Sequence, residues 1–390
     1  IGVASMAESG VLTDEADTPL APVIAWHDRR DEAELESLTD QLGTEFCSRT
    51  GLPLWTQWSL TKHRWLRSHH EPATRATRRY HVAEWVVRGW GGGRATELSL
   101  ASRTGWLDLH TQSPWTATLD WAGAGPWALA ELTPAGAPWG RAETSGALAG
   151  ADGAVLTVAG HDHQVAAVGL GCHRPGDEFD SCGTAEAILR TAEPGLSAEV
   201  VHALARDGIT VGAHAAAGRW CLLGATQGGR VLGTVMDRLG LGREQMGQLD
   251  ELAAQAPDRP GAVVCGHDGS EVHIDPGASP GEVWRAAVRT VTGQAKELSD
   301  RISQVTQQPR SLVLAGGWTH SEALLRAKRE QGPQLKVPQV GEAGCRGAAV
   351  FAGVAAGVYD DLDDAPPLMS TDLALPRTSG GDAHAARHHR

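Results

Sequence analysis

Three short β-rich runs each break off at glycine beside a small or polar residue. Residues 154–159 precede Gly160-His161-Asp162-His163, residues 179–181 precede Cys182-Gly183-Thr184, and residues 310–315 precede Gly316-Gly317. A strand delivers polar side chains to its carboxyl edge, and in α/β sheets ligands bind beyond that edge. Glycine there lets backbone N–H groups approach phosphate oxygens with no Cβ in the way. Singly, each such break reads as a plain turn more often than as a phosphate loop. Their order along one chain points to an α/β protein that binds a nucleotide.

The chain has 390 residues, and at about 150 residues per domain it holds two or three domains. The turn at Arg174-Pro175-Gly176 suggests a boundary, giving domains at 1–174 and 175–360. Beyond 360 periodicity is lost, and residues 361–390, ending in a His- and Arg-rich cluster, are expected to be a disordered tail. The longest weakly apolar run, 347–358, falls short of the roughly 20 residues a bilayer span needs, so no membrane partner is expected. A net charge of −13 gives no basic footprint for nucleic acid. The six cysteines contain no Cys-x-x-Cys pair, which argues against a zinc knuckle or a disulfide framework and fits a cytoplasmic location. Only Lys62, Lys296, Lys328 and Lys336 are lysine, a bias given no functional weight.

The chain opens as a strand at residues 1–5, without Met, and is read as lacking the strands that would precede it. A second strand is expected at 22–26, then a helix with Leu35, Leu38 and Leu42 inward and Gly43 as its stop. Residues 59–88 read as mostly helical and 89–150 as loops and short helices. The arms around Gly183 read as a hairpin. Ser279-Pro280-Gly281-Glu282 supplies an N-cap, a first-turn proline and a capping-box Glu. Trp284, Val288, Val291, Ala295, Leu298, Ile302 and Val305 then recur at helical spacing. A strand at 310–315 and a helix from Ser321 come next.

Several blocks of this sequence resemble the FGGY family of carbohydrate kinases, relatives of glycerol kinase and xylulokinase in the actin-like ATPase superfamily. In the first half these are Trp26-x-Asp28-x-Arg30, Thr50-Gly51-Leu52-Pro53-Leu54 leading to Thr61-Lys62, Ala101-Ser102-x-Thr104 and Gly160-His161-Asp162. In the second they are Ser181-Cys182-Gly183-Thr184, Gly316-Gly317 with Ser321, and Glu342-Ala343-Gly344 before Gly347-Ala348-Ala349. The resemblance implies two ribonuclease-H-like, actin-like ATPase domains around a cleft. It also implies ATP-dependent phosphorylation of a sugar or polyol hydroxyl. The expected partners are a small carbohydrate or polyol and ATP, with magnesium arriving on the nucleotide; a homodimer is left open.

By the same resemblance Asp162 is the catalytic base, although it also opens a helix and can be read as its N-cap. Gly183 and Thr184 would hold the nucleotide tail, with Gly229, Gly316, Gly317 and Ser321 around the rest of the nucleotide. On the sugar side Glu8 would accept substrate hydroxyls and Trp26 would lie against the carbon face. Gln57 stands where glycerol kinases carry Tyr, and Ala7 where they carry Arg. Asp28 and Arg30 are either ligand contacts or an internal ion pair, and His163 is either a hydroxyl contact or a first-turn polar residue. His161 and His163 flank Asp162 without a third ligand at recognisable spacing, so no resident metal is expected. Nothing ahead of Ile1 supplies the family's Asp-x-Gly-Thr element, and residues 265–280 lack its Gly-Glu-Arg; turnover by residues 1–390 alone is therefore expected to be weak. A catalytically inactive actin-like binding module is the alternative reading, and a metal-dependent hydrolase a distant third.

Overall fold

Residues 1–266, 269–331, 334–368 and 370–372 are described by the computed structural model. The opening strand Gly2–Ser5 runs parallel to Thr157–His161, with Ser5 opposite His161. Parallel pairing needs a long crossover, and here the crossover is most of the first lobe. The helix Asp162–Gly169 leaves directly from the second of these strands. Asp162 therefore stands at the carboxyl edge of a parallel pair. Around it, Gly10–Thr13 pairs antiparallel with Arg78–His81. The helices Glu32–Thr50 and Ser59–His69 border a core built on Leu38, Phe46, Trp58, Leu60 and Trp106.

The second lobe is organised by a seven-stranded sheet. Its spatial order is Thr210–Ala213, Trp220–Thr226, Glu186–Ala192, Asp177–Cys182, Ser311–Ala315, Leu335–Pro338 and Ser370–Asp372. Asp177–Cys182, Ser311–Ala315 and Leu335–Pro338 are mutually parallel; the other pairings are antiparallel. The helix Pro280–Ser303 starts with the expected capping box, Ser279 and Glu282 satisfying each other's backbone N–H. It buries Trp284, Val288 and Val291 in one core with Leu314 and Leu325. The opposite face carries Phe179, Leu189 and Val313 against Ala167 and Leu170 of the first lobe.

The final helix, Ala343–Ala355, lies within the expected 175–360 domain but packs on the first lobe. Glycines make that approach possible. A Cβ on Gly347 would stand 1.9 Å from the Val165 carbonyl oxygen, and one on Gly2 would stand 2.1 Å from that of Ala348. The outer edge of the sheet is also covered by the first lobe: Val211 N–H donates to the Gly51 carbonyl at 2.8 Å, so this edge is not open to strand addition.

Four local expectations differ from the fold. Residues 22–26 form no regular strand; the Ile24 carbonyl accepts instead from the Ser9 hydroxyl at 3.0 Å. The helix expected to stop at Gly43 continues to Thr50, because Gly43 has no steric reason to end it. The stop is Gly51, whose φ of +71° is left-handed and whose Cβ would meet the Val211 oxygen at 2.0 Å. The 59–88 stretch is interrupted by the strand Arg78–His81. Finally, where a disordered tail was expected from 361, Leu362–Asp364 forms a turn and Ser370–Asp372 pairs with the sheet. Residues 373–390, with their terminal His and Arg cluster, lie outside the described residues. Among the described residues no helix is long and apolar enough to cross a membrane.

Candidate active site

Asp162 is the first residue of its helix, and His161 occupies the capping position. Its Oδ1 accepts the His163 backbone N–H at 2.7 Å and lies 3.0 Å from His163 Nδ1 and 3.3 Å from His161 Nε2. Among the described residues no hydrogen bond falls on Oδ2, and the side chain is about half exposed, 47%. One carboxylate oxygen is thus pinned while the other is left for a ligand. Burial pushes the Asp162 carboxyl up, but the hydrogen bonds from His163 outweigh it and hold the group well below the usual carboxylate range. His161 is enclosed, and burial lowers its pKa to about 3, so its imidazole is neutral at physiological pH. The nitrogen and carboxylate atoms of His161, Asp162 and His163 fall within 4.8 Å of one another.

Glu8 is buried beside this edge. Its Oε1 accepts Arg103 Nε at 2.7 Å and Gln57 Nε2 at 3.0 Å. Burial alone would raise its pKa; the charge of Arg103 reverses the sign and holds Glu8 ionised. Arg103 also reaches the second lobe, where its Nη1 donates to Thr210 Oγ1 at 3.3 Å. Lys62, nearly buried, donates to the carbonyls of Asp28 at 2.7 Å and Thr56 at 2.6 Å, setting the turn that carries Trp26 beside the segment that carries Gln57. Trp26 is exposed, edge-on to His27. Asp28 and Arg30 pair with each other at 2.6 Å, so the internal ion pair is the arrangement present.

On the other lobe, Asp177–Cys182 and Glu186–Ala192 form the expected hairpin, with Thr184 exposed at its tip. Two of the glycine segments converge on it. A Cβ on Gly316, whose φ is +111°, would lie 2.5 Å from the Cys182 oxygen; one on Gly229 would lie 1.8 Å from that of Gly183. Gly228–Arg238 begins here, so the free N–H groups of a helix start join the same cluster. Gly183, Thr184, Gly229, Gly316 and Gly317 are therefore brought together. Ser321 is not among the exposed groups. It is fully buried, and its hydroxyl donates to Asp250 at 2.8 Å, while Asp250 also accepts the Trp284 indole N–H at 2.7 Å.

Beneath the hairpin lies a polar network with no counterpart among the motif residues. Buried Lys328 donates to Asp180 at 2.5 Å and Glu186 at 2.6 Å. The Thr226 hydroxyl donates to Glu186 at 2.8 Å and accepts the Gly228 N–H at 3.3 Å. Burial opposes the charge on Lys328, but the two carboxylates outweigh it and raise its pKa further. A signal existed: two of only four lysines, Lys62 and Lys328, are buried, which a lysine tolerates only when paired. Arg103 was the unassigned position inside Ala101-Ser102-x-Thr104.

Residues 1–169 match the N-terminal domain of the FGGY family of carbohydrate kinases. Over its full length the chain is 26% identical to a glycerol kinase of Janthinobacterium sp. (strain Marseille), covering 82% of that protein. It is 28% identical to a glycerol kinase of Ralstonia nicotianae, with 97% of this chain and 81% of that one aligned. Among solved structures, a xylulose kinase from Rhodospirillum rubrum superposes with a TM-score of 0.83 at 22% identity, over 97% of this chain and 80% of its own. Plasmodium falciparum glycerol kinase with ADP superposes with a TM-score of 0.80 at 16% identity, over 93% and 76%. These likenesses establish the two-domain actin-like ATPase fold.

Proposed function

We propose, for a chain that belongs to the FGGY family of carbohydrate kinases, that it transfers the γ-phosphoryl group of ATP to one hydroxyl of a sugar or polyol, with Asp162 as the base. The acceptor hydroxyl meets Asp162 Oδ2. Its oxygen forms the new bond to the γ-phosphorus as the bond to the β–γ bridging oxygen breaks; ADP leaves, and the hydroxyl proton passes to Asp162. Phosphoryl transfer through a loose transition state depends on positioning more than on base strength. A strongly acidic carboxylate held by His163 suits that demand. Glu8, ionised and fixed by Arg103 and Gln57, accepts hydrogen bonds from further hydroxyls; His163 contacts another, and Trp26 covers carbon.

The hairpin tip with Gly183 and Thr184, the helix start at Gly229 and the turn at Gly316-Gly317 form the nucleotide grip. Magnesium takes oxygen ligands, whereas Asp162 is flanked by two imidazoles; the described residues make no magnesium cage, and the ion would be held chiefly by the ATP phosphates. Ala7 and Gln57, in place of the arginine and tyrosine of glycerol kinases, argue for an acceptor other than glycerol.

The observation that carries this reading is the half-exposed side chain of Asp162, whose Oδ2 has no hydrogen bond among the described residues, at the carboxyl edge of a parallel strand pair. The test is an ATP-coupled assay over ketoses, aldoses and polyols, in which ADP should appear with one of them. Protein that binds ATP and leaves every candidate unphosphorylated would instead be the binding module.

A further inference from the structure

We propose, resting on the reading of Asp162 as the base, that Ser99 and Glu97 are positioning residues for the transfer, a buried pair that holds the strand end from which Asp162 projects. The His161 backbone N–H donates to Ser99 Oγ at 3.0 Å, and the Ser99 hydroxyl donates to Glu97 Oε2 at 2.6 Å. Asp162 is the next residue, so this chain of bonds ends one peptide from the base. Gly160 makes the approach possible: its φ is +110°, and a Cβ on it would stand 2.6 Å from Ser99 Oγ and 3.2 Å from Glu97 Oε2. Both side chains of the pair are fully buried.

Glu97 is itself fixed. It caps the short helix Leu98–Ala101, its Oε1 accepting the Ser99 N–H at 2.9 Å and its Oε2 the Leu100 N–H at 2.9 Å. Its own N–H donates to Glu84 Oε1 at 3.0 Å. Three donors thus converge on the Glu97 carboxylate, the pattern an ionised group requires. A proton on Oε2 would meet the hydrogen of the Ser99 hydroxyl, which would have to turn from the one acceptor it has among the described residues.

Ionisation is therefore part of the hold. Burial pushes the Glu97 carboxyl up to about 7, the charge of Glu84 adds to that, and the hydrogen bonds from Ser99 and Leu100 oppose it. Glu84, on Val82–Gly89, lies 2.9 Å from His81 Nδ1 as well as accepting the Glu97 N–H. His161 ends the strand Thr157–His161 and is neutral. Arg103, just past Leu98–Ala101, is spent on Glu8. His214, just past Thr210–Ala213, is taken up by Thr191 and the Ala216 N–H. Glu131, beside the paired strand Leu132–Thr133, is exposed. Above pH 7 the pair is complete and His161 is held; below it Glu97 takes a proton and the hold weakens.

The experiment measures kcat and KM on the full chain, from about pH 6 to about pH 8, with ATP and the acceptor found in the panel of ketoses, aldoses and polyols. Ser99→Ala keeps the capping bonds of Glu97 and removes its link to His161. Its kcat should fall about tenfold while both KM values stay within about twofold. Ser99→Thr, which keeps the hydroxyl, should hold the parent value. The parent's kcat should drop as pH falls through about 7, and neither Ser99→Ala nor Glu97→Gln should show that step. Independently of turnover, the His161 amide should exchange with deuterium about tenfold faster in Ser99→Ala than in the parent. Ser99→Ala with the parent's kcat, or with the parent's step near pH 7, would overturn the assignment, as would unchanged exchange at His161. If the parent phosphorylates nothing in the panel, it is the reading of Asp162 that fails, and exchange at His161 still decides whether Ser99 and Glu97 hold this strand end.

Discussion

Asp162→Asn keeps the shape of the side chain and the pinned oxygen but removes the proton acceptor. Turnover should fall by about 10² to 10⁴, with carbohydrate affinity little changed, as read from kcat and KM separately. Arg103→Leu acts differently, because it strands Glu8 as a buried charge; the cost should be about 3–5 kcal/mol, measured by urea unfolding. Its pH dependence comes from the direction of the Glu8 shift. In the parent, Glu8 lies below its ordinary pKa, so its stabilising share is present above that value and is lost as pH falls through the folded one. Without Arg103, burial prevails and Glu8 is destabilising when ionised. The gap between parent and variant should therefore be wide at pH 7.5 and narrow at pH 4. Asp162 was legible from a motif block because that block ends a strand; Glu8, in the turn between Gly2–Ser5 and Gly10–Thr13, came from the family resemblance alone. Arg103 was not legible, since spacing alone does not say which side chain of a turn folds inward.

Lys328, on the helix Glu322–Gln331, holds both arms of the hairpin through Asp180 and Glu186. Lys328→Met leaves Asp180 and Glu186 facing each other without a cation, which should cost about 3–5 kcal/mol. It should raise the KM for ATP more than it lowers kcat, since Thr226 and the Gly228 N–H lose their anchor. Differential scanning calorimetry and steady-state kinetics check the two halves. Local chemistry explains which elements could be read from sequence. The helix at 280–303 announces itself by its cap and its spacing, and the hairpin by its glycine tip. Residues 22–26 failed because their partner is a side-chain hydroxyl rather than a neighbouring strand. Gly43 misled because a glycine stops a helix only when its φ is left-handed, and that condition is met eight residues later.

Across the whole molecule, acid should unfold the protein steeply. Burial lowers His63, His161 and His214 to about 3 and raises Glu97 to about 7. Between pH 4.5 and 6.5 the unfolded chain gains three histidine protons that the native state refuses, while the native state retains one on Glu97 that the unfolded chain releases. His81 is lowered by burial as well, so the unfolded chain binds more protons throughout, by roughly two near pH 5 and by fewer towards pH 6.5, and stability should rise with pH by about 1–3 kcal/mol per unit across this window. A chemical-denaturation midpoint that stays flat from pH 4.5 to 6.5 would contradict this. The α/β class was legible from the three glycine breaks. The return of the last helix to the first lobe was not, because Gly347 looks like any small residue until the carbonyl it admits is known.

That return means the backbone passes between the lobes three times: after Gly169, between Pro338 and Ala343, and from Ala355 back to the strand at Ser370. Separate ribbons joining the same two bodies act as the knuckles of a door. Three such crossings should restrain sliding and twisting of one lobe on the other more than a single linker would. The expected outcome is that one pair of fluorescent labels, one on each lobe, follows any opening or shutting of the crevice as nucleotide is added.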